Sequence, residues 1–176
     1  MTMKSLLPTV TLRALEPEDL DMLYHIENDQ KLWNIGATNV PYSRYALHDY
    51  IAHASADIYT DKQVRLIIEN VEGKAVGLAD IVNFDPKHCR AELGIIIATP
   101  FRRMGYAQAA VAWVTRYAFS QLHLHQLYVV IAADNEPSLS LFRKAGFEQT
   151  LSLRHWLFDG SAYHDAVLMQ LLSSAV

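Results

Sequence analysis

The sequence predicts an α/β protein with a mixed sheet, because antiparallel hairpins alternate with strand–helix–strand crossovers along the chain. Turn residues at Glu72-Gly73 and Asp159-Gly160 separate apolar runs that read as the two hairpins. The chain has 176 residues, 51% of them hydrophobic, and such a chain can bury a substantial core. We therefore expect one domain, 1–176, with a central sheet of about seven strands flanked by about four helices.

The N-terminal part begins with a strand and then becomes helical. Alternation over 9–13 predicts the strand, and Pro17 followed by acidic residues predicts the start of a helix. The pattern is poor over 29–42, where we expect a loop with a short helical turn. Ser43 can cap a second helix, and helical spacing of apolar residues carries that helix to around 57–60.

The remaining chain supplies the other six strands and two helices. The strands run over the hairpin 63–84 and then over 89–98, 125–133, 152–158 and 163–172. One helix follows Gly105, where a single stripe carries Ala107, Ala110, Val111, Val114, Tyr117 and Ala118. The other covers "EPSLSLFRKAGF" and is closed by Gly146.

Charge and composition exclude several classes of protein. The net charge is -4 and Lys and Arg are not clustered, so no nucleic-acid partner is expected. The opening "MTMKSLLPTVTL" is broken by Pro8 and is too short for a secretory signal or a membrane span. Cys89 is the only cysteine, so no internal disulfide can form. We expect a cytoplasmic protein with no membrane partner, and the acidic balance weakly favours a cationic substrate.

The stretch "TPFRRMGYAQAAVAWV" is unusual for an acidic chain. Arg102 and Arg103 stand side by side between an apolar strand and an apolar-faced helix. A helix start exposes unpaired N–H groups and the positive end of the helix dipole, and Gly105 permits close approach of an anion. The pattern is neither a Walker loop nor the dinucleotide fingerprint. A helix start with two solvated arginines is the alternative.

These residues resemble a known family. The stretch is similar to the pyrophosphate-binding motif Q/R-x-x-G-x-G/A of the GCN5-related N-acetyltransferases (GNAT superfamily), through Arg102, Gly105 and Ala107. The segment "NEPSLSLFRKAGF" resembles a second motif of that superfamily, with Asn135, Leu141, Lys144, Gly146 and Phe147 in register. The likeness extends over almost the whole chain and is closest to spermidine and diamine acetyltransferases, and more distant to ribosomal-protein N-terminal acetyltransferases.

The resemblance implies acetyl-CoA as cosubstrate, no metal, and a sheet that splays beside the strand 89–98. The splay would free backbone groups of Ile95, Ile96 and Ile97 for the pantetheine arm. The pyrophosphate would be wrapped by Arg102, Arg103, Met104, Gly105, Tyr106, Ala107 and Gln108. Asn135 would bond the pantetheine and Phe142 would lie beside the thioester sulfur. Lys144 either approaches the nucleotide or is a solvated helix residue.

Acetyl transfer requires a neutral amine, whereas a primary amine has a pKa near 10.4, as lysine does. The resemblance places a carboxylate that accepts the proton, through water, at Glu92. Its alternative role is an outward carboxylate paired with a base such as Arg90. Backbone N–H groups near Ile96 could polarise the thioester carbonyl.

Position 142 departs from the family. Spermidine acetyltransferases carry a tyrosine there, the expected acid for the leaving sulfur, and this chain carries Phe142. Ser138 lies one helical turn earlier on the same face and is the first substitute candidate, or only a helix-start residue.

We expect an N-acetyltransferase that moves an acetyl group to a primary amine, such as the polyamine spermidine, by direct attack in a ternary complex. The alternatives are N-terminal acetylation of a protein and a non-catalytic acyl-CoA-binding regulatory domain. The partner would be a small-molecule amine, with a homo-oligomer as a further option.

Several further residues are candidates for contact with the amine acceptor. Asn39 and Val40 stand where the spermidine enzymes carry glutamates, so either the acceptor is a shorter or less charged amine or other acidic residues compensate: Glu27, Asp29, Asp49 and Asp57. Aromatic and histidine side chains are either acceptor-pocket residues or structural: Trp33, Tyr42, Tyr45, His155 and His164. His123 and His125 form an H-x-H without an evident third metal ligand.

Overall fold

The computed structural model of the chain describes residues 7–33, 40–55 and 57–174. These residues form the seven-stranded sheet that the sequence predicts, and the order of its strands is β1-β2-β3-β4-β5-β7-β6. The strands are β1 (Val10–Ala14), β2 (Val64–Asn70), β3 (Ala75–Asp85), β4 (Arg90–Ile97), β5 (Gln126–Ala132), β6 (Glu148–Phe158) and β7 (Tyr163–Leu172). The helices are α1 (Leu20–Glu27), α2 (Gln30–Trp33), α3 (Arg44–Ala52), α4 (Ile58–Asp61), α5 (Tyr106–Ser120) and α6 (Glu136–Lys144).

The sheet is mixed, with one parallel pair at its centre. β4 and β5 are parallel, and every other neighbouring pair is antiparallel. The parallel ladder joins Arg90 to Gln126, Ala91 to Leu127 and Glu92 to Tyr128, and then it stops. Both strands continue beyond this point, so the sheet splays where the family resemblance predicts.

Helices cover the two faces of the sheet unequally. α5 and α6 pack on one face, where Val111, Val114 and Phe142 meet Leu127 and Val129 in the larger core. On the opposite face a smaller core joins Leu23 and Ile26 of α1 and Leu47 of α3 to Ile67 and Leu78. That smaller core contains no described residue of β5, β6 or β7. Strand alternation places Glu92 and Tyr128 on this second face, because their sequence neighbours belong to the larger core.

The helix count and one helix boundary differ from the sequence prediction. The four predicted helices are present, α2 is the short helical turn expected within 29–42, and the four-residue helix α4 was not predicted. The Ser43 hydroxyl caps α3 by accepting from the Ala46 N–H, as predicted. α3 ends at Ala52, not around 57–60, and Asp57 instead caps the separate helix α4 by accepting from the Tyr59 N–H. A second capping residue therefore divides what the apolar spacing reads as one helix.

Two 3₁₀ turns complete the described secondary structure. Pro17–Asp19 leads into α1, and Thr99–Phe101 follows β4. None of the helices described is both long and apolar enough to cross a bilayer.

Candidate active site

The edge that opens between β4 and β5 is the first part of the site. Ile95, Ile96 and Ile97 pair with residues of β3 on one side. On the other side the ladder to β5 has already ended at Glu92. Half of the backbone hydrogen-bonding groups in this segment therefore face a gap in the sheet, where an extended ligand can pair with them.

The start of α5 offers a second set of unpaired groups. The first helical hydrogen bond runs from the Ala109 N–H to the Gly105 carbonyl, so the N–H groups of Tyr106, Ala107 and Gln108 have no acceptor within the helix. The N-cap residue is Gly105, which has no side chain to satisfy them. These N–H groups point out of the helix start with the positive end of its dipole and can bind an anion.

The turn before α5 places both arginines near this helix start. The Arg102 Nε donates to the Ile97 carbonyl at 2.9 Å and ties the turn to the end of β4. Arg103 is exposed and held at a φ of 67°, and Met104 between the turn and the helix is also exposed. Arg103 thus presents its charge to solvent beside the unpaired N–H groups.

Gly105 has a structural requirement that sequence reasoning missed. Its φ is 86°, in the left-handed region, and a Cβ there would lie 2.9 Å from Cδ of Pro8. Close approach of a phosphate is therefore not needed to explain the glycine. A bulky substitution at this position would strain the backbone and displace the N-terminal segment as well as affect an anion.

α6 and its N-cap residue carry four predicted site residues. The Asn135 Oδ1 caps the helix by accepting from the Ser138 N–H at 3.3 Å, while its Nδ2 makes no hydrogen bond within the described chain. Ser138 is half-buried. Phe142 is only 5% exposed and packs edge-to-face on Phe147 with ring centroids 5.1 Å apart. Lys144, at the C-terminal end of the helix, is exposed.

Glu92 lies where the two parallel strands separate. Its Oε2 accepts a hydrogen bond from Nδ2 of Asn83 at 2.8 Å. The pairing of Glu92 with Arg90, which the sequence left open, is not formed, because Arg90 bonds Asp85 at 3.2 Å. The carboxylate is half-buried and is oriented by a neutral amide, an arrangement that suits a proton acceptor.

A polar groove of about 450 Å³ adjoins Glu92 on the same face of the sheet. Asn83, Arg90, Gln126, Tyr128 and Gln170 are among its lining residues. Burial, reinforced by the charge of Glu92, raises the pKa of the Tyr128 hydroxyl, so this phenol stays protonated at neutral pH. Sequence reasoning missed the groove, since its lining residues come from four strands and share no motif.

A half-buried ion-pair cluster lies on the same face of the sheet as Glu92, where α1 and α3 pack. Arg65 bonds both oxygens of Asp80, at 2.8 and 2.9 Å, and also bonds Glu27 at 2.5 Å. Burial lowers the pKa of Arg65, but the charges of Asp80 and Glu27 outweigh it and raise that pKa overall. Two carboxylates share one guanidinium, so the cluster carries a net charge of about -1.

The other acidic residues proposed for the acceptor have local partners. Asp29 accepts from the Lys31 N–H, Asp49 contacts His53, and Asp57 caps α4. His164 bonds Asp159 at 2.6 Å at the tip of the last hairpin, which supports a structural role for that histidine.

The predicted aromatic residues at the loop are not core residues. Tyr42 is partly exposed and Tyr45 is 82% exposed. Asn39 and the side chain of Trp33 lie outside the part that the structure describes. His155 stacks on Tyr163 with ring centroids 6.3 Å apart. Among the described residues no three His, Cys, Asp or Glu side chains are grouped to hold a metal.

Comparisons with known proteins identify the family of the chain. The family model of the acetyltransferase (GNAT) domain matches residues 9–148. The spermidine N(1)-acetyltransferase of Escherichia coli K12 is 29% identical over 165 residues, covering 92% of this chain and 84% of the relative. The crystal structure of the Vibrio cholerae spermidine N-acetyltransferase with CoA and spermine has a TM-score of 0.84 and 27% identity, covering 94% of this chain and 96% of that one. A dodecameric structure of the Vibrio cholerae enzyme has a TM-score of 0.79 and 26% identity, with 94% of each chain covered.

Proposed function

The chain belongs to the GNAT family of acetyltransferases, and from this premise we propose that it transfers an acetyl group from acetyl-CoA to an amine of a polyamine such as spermidine or spermine. It is an acetyl-CoA-dependent N-acetyltransferase. The observation that carries the proposal is the position of Glu92, at the point where β4 and β5 separate. An acyl arm that pairs along the open edge of β4 would end beside that carboxylate.

The residues at the open edge fit coenzyme A. The pantetheine arm would pair with Ile95, Ile96 and Ile97 and with the amide of Asn135. The pyrophosphate would lie on the N–H groups at the start of α5, with Arg102 and Arg103 adding charge. Phe142 would contribute packing near the thioester, and Lys144 would reach the nucleotide end. Acetyl-CoA supplies an acyl carbon that is already bonded to a good leaving group.

Acetyl transfer requires two proton transfers, one from the substrate ammonium and one to the leaving thiolate. Glu92 would accept a proton from the substrate ammonium, directly or through water, so that the neutral nitrogen can attack the carbonyl carbon. A C–N bond forms, the C–S bond breaks, and the thiolate takes up a proton. Ser138 is half-buried one turn from Phe142 and remains the first candidate for that proton.

Charge on the acceptor face favours a cationic chain. The cluster of Glu27, Arg65 and Asp80 has a net charge of about -1, and Glu92 adds another negative charge on the same face. This arrangement differs from a row of glutamates in the loop, because Glu27 is the last residue of α1, Asp80 lies within β3, and both bond Arg65. The similarity to two spermidine acetyltransferases supports a polyamine over a protein N-terminus.

We extend the proposal to the whole chain. The matched family region ends at residue 148, where β6 begins, so β6 and β7 lie almost wholly beyond it. They nevertheless complete the same sheet, and residues 1–176 therefore form one acetyltransferase domain in this proposal. We further propose that the protein self-associates and works in the cytoplasm. The dodecameric structure of a neighbour supports self-association.

A panel of acceptors tests the function. Purified protein is incubated with acetyl-CoA and with spermidine, spermine, a short diamine, a monoamine or an N-terminal peptide, and CoA release is followed. We expect saturable release with the polyamines. Release with the peptide alone would favour protein N-terminal acetylation, and tight CoA binding without release for any amine would favour a non-catalytic domain. Glu92→Gln is expected to lower kcat by about 100-fold, a typical loss for a general base.

A further inference from the structure

We propose that Asn83 is the positioning residue for Glu92, held in place by a β-bulge built into β3. The inference rests on the proposed function, in which Glu92 is the proton acceptor. Asn83 belongs to neither of the sequence motifs. Its assignment comes from the backbone of β3 opposite Glu92 and from one side-chain hydrogen bond.

The bulge adds one residue to β3 directly beside Glu92. Val82 is paired with Glu92, and Asp85 is paired with Arg90, so three steps along β3 match two steps along β4. Asn83 within this bulge has a φ of 52°. Asparagine is among the few residues with a side chain that adopt this left-handed conformation readily. Bulges of this kind re-aim a side chain relative to a regular strand.

The neighbouring residue fixes the bulge from the other side. Phe84 is buried in the larger core, its ring packs edge-to-face on Tyr59, and its N–H donates to the Lys62 carbonyl at 3.1 Å. With Phe84 anchored inward, Asn83 is directed to the opposite face. Its Nδ2 then reaches Oε2 of Glu92 at 2.8 Å.

A neutral donor is well suited to this task. An amide N–H orients a carboxylate without cancelling its charge, whereas an arginine or lysine partner would compete with the substrate ammonium. The hydrogen bond occupies Oε2 and leaves Oε1 for a water molecule or the amine. Arg90, the nearest cation on β4, is diverted to Asp85 at 3.2 Å. Tyr128, the cross-strand neighbour of Glu92, lines the groove beside this pair.

The test separates the amide from the bulge. Asn83→Gly removes the side chain while glycine adopts the positive φ without strain, so the bulge and the melting temperature should be retained. We expect kcat to fall by about 3- to 10-fold, through looser placement of the base, with the KM for acetyl-CoA unchanged. Asn83→Asp cannot donate and places a second carboxylate beside Glu92, so a larger fall is expected. His123→Gly, which replaces another exposed residue at a φ of 53° between α5 and β5, is the matched control with wild-type kinetics expected.

A double-mutant cycle decides whether Asn83 acts through Glu92. In a Glu92→Gln background, Asn83→Gly should change the residual rate by less than twofold, because the group that it positions is already lost. An unchanged kcat in the folded Asn83→Gly protein would overturn the proposal, even if Glu92→Gln were too slow for the cycle. An equal loss in both backgrounds would also overturn it. Wild-type protein without turnover on any amine would contradict the proposed function instead.

Discussion

In the proposed function Phe142 lies beside the thioester sulfur, where it limits how the leaving thiolate can be protonated. The spermidine acetyltransferases that the chain resembles carry a tyrosine at this position, and a positioned acid typically contributes about 10²–10⁴ in rate. Here the ring is buried against Phe147 and offers no proton. An alkyl thiol has a pKa of roughly 8.5, so the thiolate is a tolerable leaving group without an acid. Without a hydroxyl at this position we expect a lower maximal turnover rate, but the reaction can still proceed.

Restoring the hydroxyl tests this argument. Phe142→Tyr keeps the ring and adds a donor, so turnover should rise or hold, depending on which step limits the rate. A buried hydroxyl without a partner costs about 1–3 kcal/mol, and we expect the melting temperature of the free protein to fall by roughly 2–10 °C. Steady-state kinetics and thermal melts of both proteins provide the measurement.

Phe147→Tyr is the matched control for that substitution. Phe147 is equally buried and touches the same ring, so its added hydroxyl should lower stability without raising turnover. A loss of turnover in Phe142→Tyr with an intact fold would show that the ring does not lie beside the sulfur.

The roles of single site residues were predictable from the sequence only where a motif or the family resemblance identified their positions. Asn135, identified by its place in a motif, does cap α6, and Glu92 does stand on the predicted strand. Asn83 gave no such signal, because the sequence predicts an ordinary strand through residue 84 and the bulge depends on the pairing of β3 with β4. The Arg65 cluster was equally hidden, since Glu27 and Arg65 are 38 positions apart and meet only after α1 packs on the sheet.

At the scale of elements, the turn between β4 and α5 can be tested through Arg103. Its φ of 67° is unfavourable for arginine and suits glycine. We expect Arg103→Gly to keep or raise the melting temperature while it weakens CoA binding by about 3- to 10-fold, since exposed charge contacts are modest. Isothermal titration with CoA measures the effect, which should shrink as salt is raised.

Arg116→Ala, on an exposed part of α5 more than two turns from the helix start, is the control and should bind CoA as wild type does. If Arg103→Gly bound CoA equally well at low salt, the arginine would be a solvated turn residue. Arg103 is a better position for this test than Gly105. A side chain at Gly105 would collide with Pro8, so a loss of CoA binding could not be distinguished from a loss of folding.

The position of β4 depends on a glycine of the neighbouring strand. A Cβ at Gly77 would lie 2.2 Å from the Ile96 carbonyl oxygen, whereas a Cβ at Gly94 would meet only Cβ of Asp80 at 3.6 Å. Gly77→Ala should therefore push β4 outward and destabilise the protein by about 1–3 kcal/mol, as overpacking does. Gly94→Ala should be tolerated. Urea unfolding of both variants checks this contrast, and equal stabilities would contradict the close approach.

Elements were predicted best where the chain carries both a period and a stop signal. The two hairpins and α6 were of this kind, and their turns or caps are where the sequence places them. The predicted end of α3 was wrong, because the helical spacing of apolar residues continues past His53 although Asp57 caps a separate helix. The splay followed only from the family resemblance, since no local property of β4 or β5 shows where their pairing stops.

At the scale of the molecule, the last hairpin carries several exposed aromatic side chains. β6 is the edge strand of the sheet and is exposed along most of its length. Exposed aromatic side chains gather near its tip, where Tyr163 packs on Phe158 at 4.9 Å between ring centroids, and Trp156 lies close by in sequence. Clustered exposed aromatics mark protein interfaces, and an open edge strand is otherwise prone to aggregation.

We therefore expect this aromatic hairpin to be where copies of the chain associate. Wild-type protein should elute as an oligomer by light scattering coupled to gel filtration, and Trp156→Glu should reduce its mass, because a charge would have to be buried at the contact. Val71→Glu is the matched control: Val71 is equally apolar and exposed but lies in the β2–β3 turn, so the mass should not change. A Trp156→Glu protein with the wild-type mass would exclude this contact, and a monomeric wild type would exclude self-association altogether. If the hairpin is the contact, the melting temperature of the wild type should rise with protein concentration while that of Trp156→Glu should not, since assembly stabilises the folded chain by mass action.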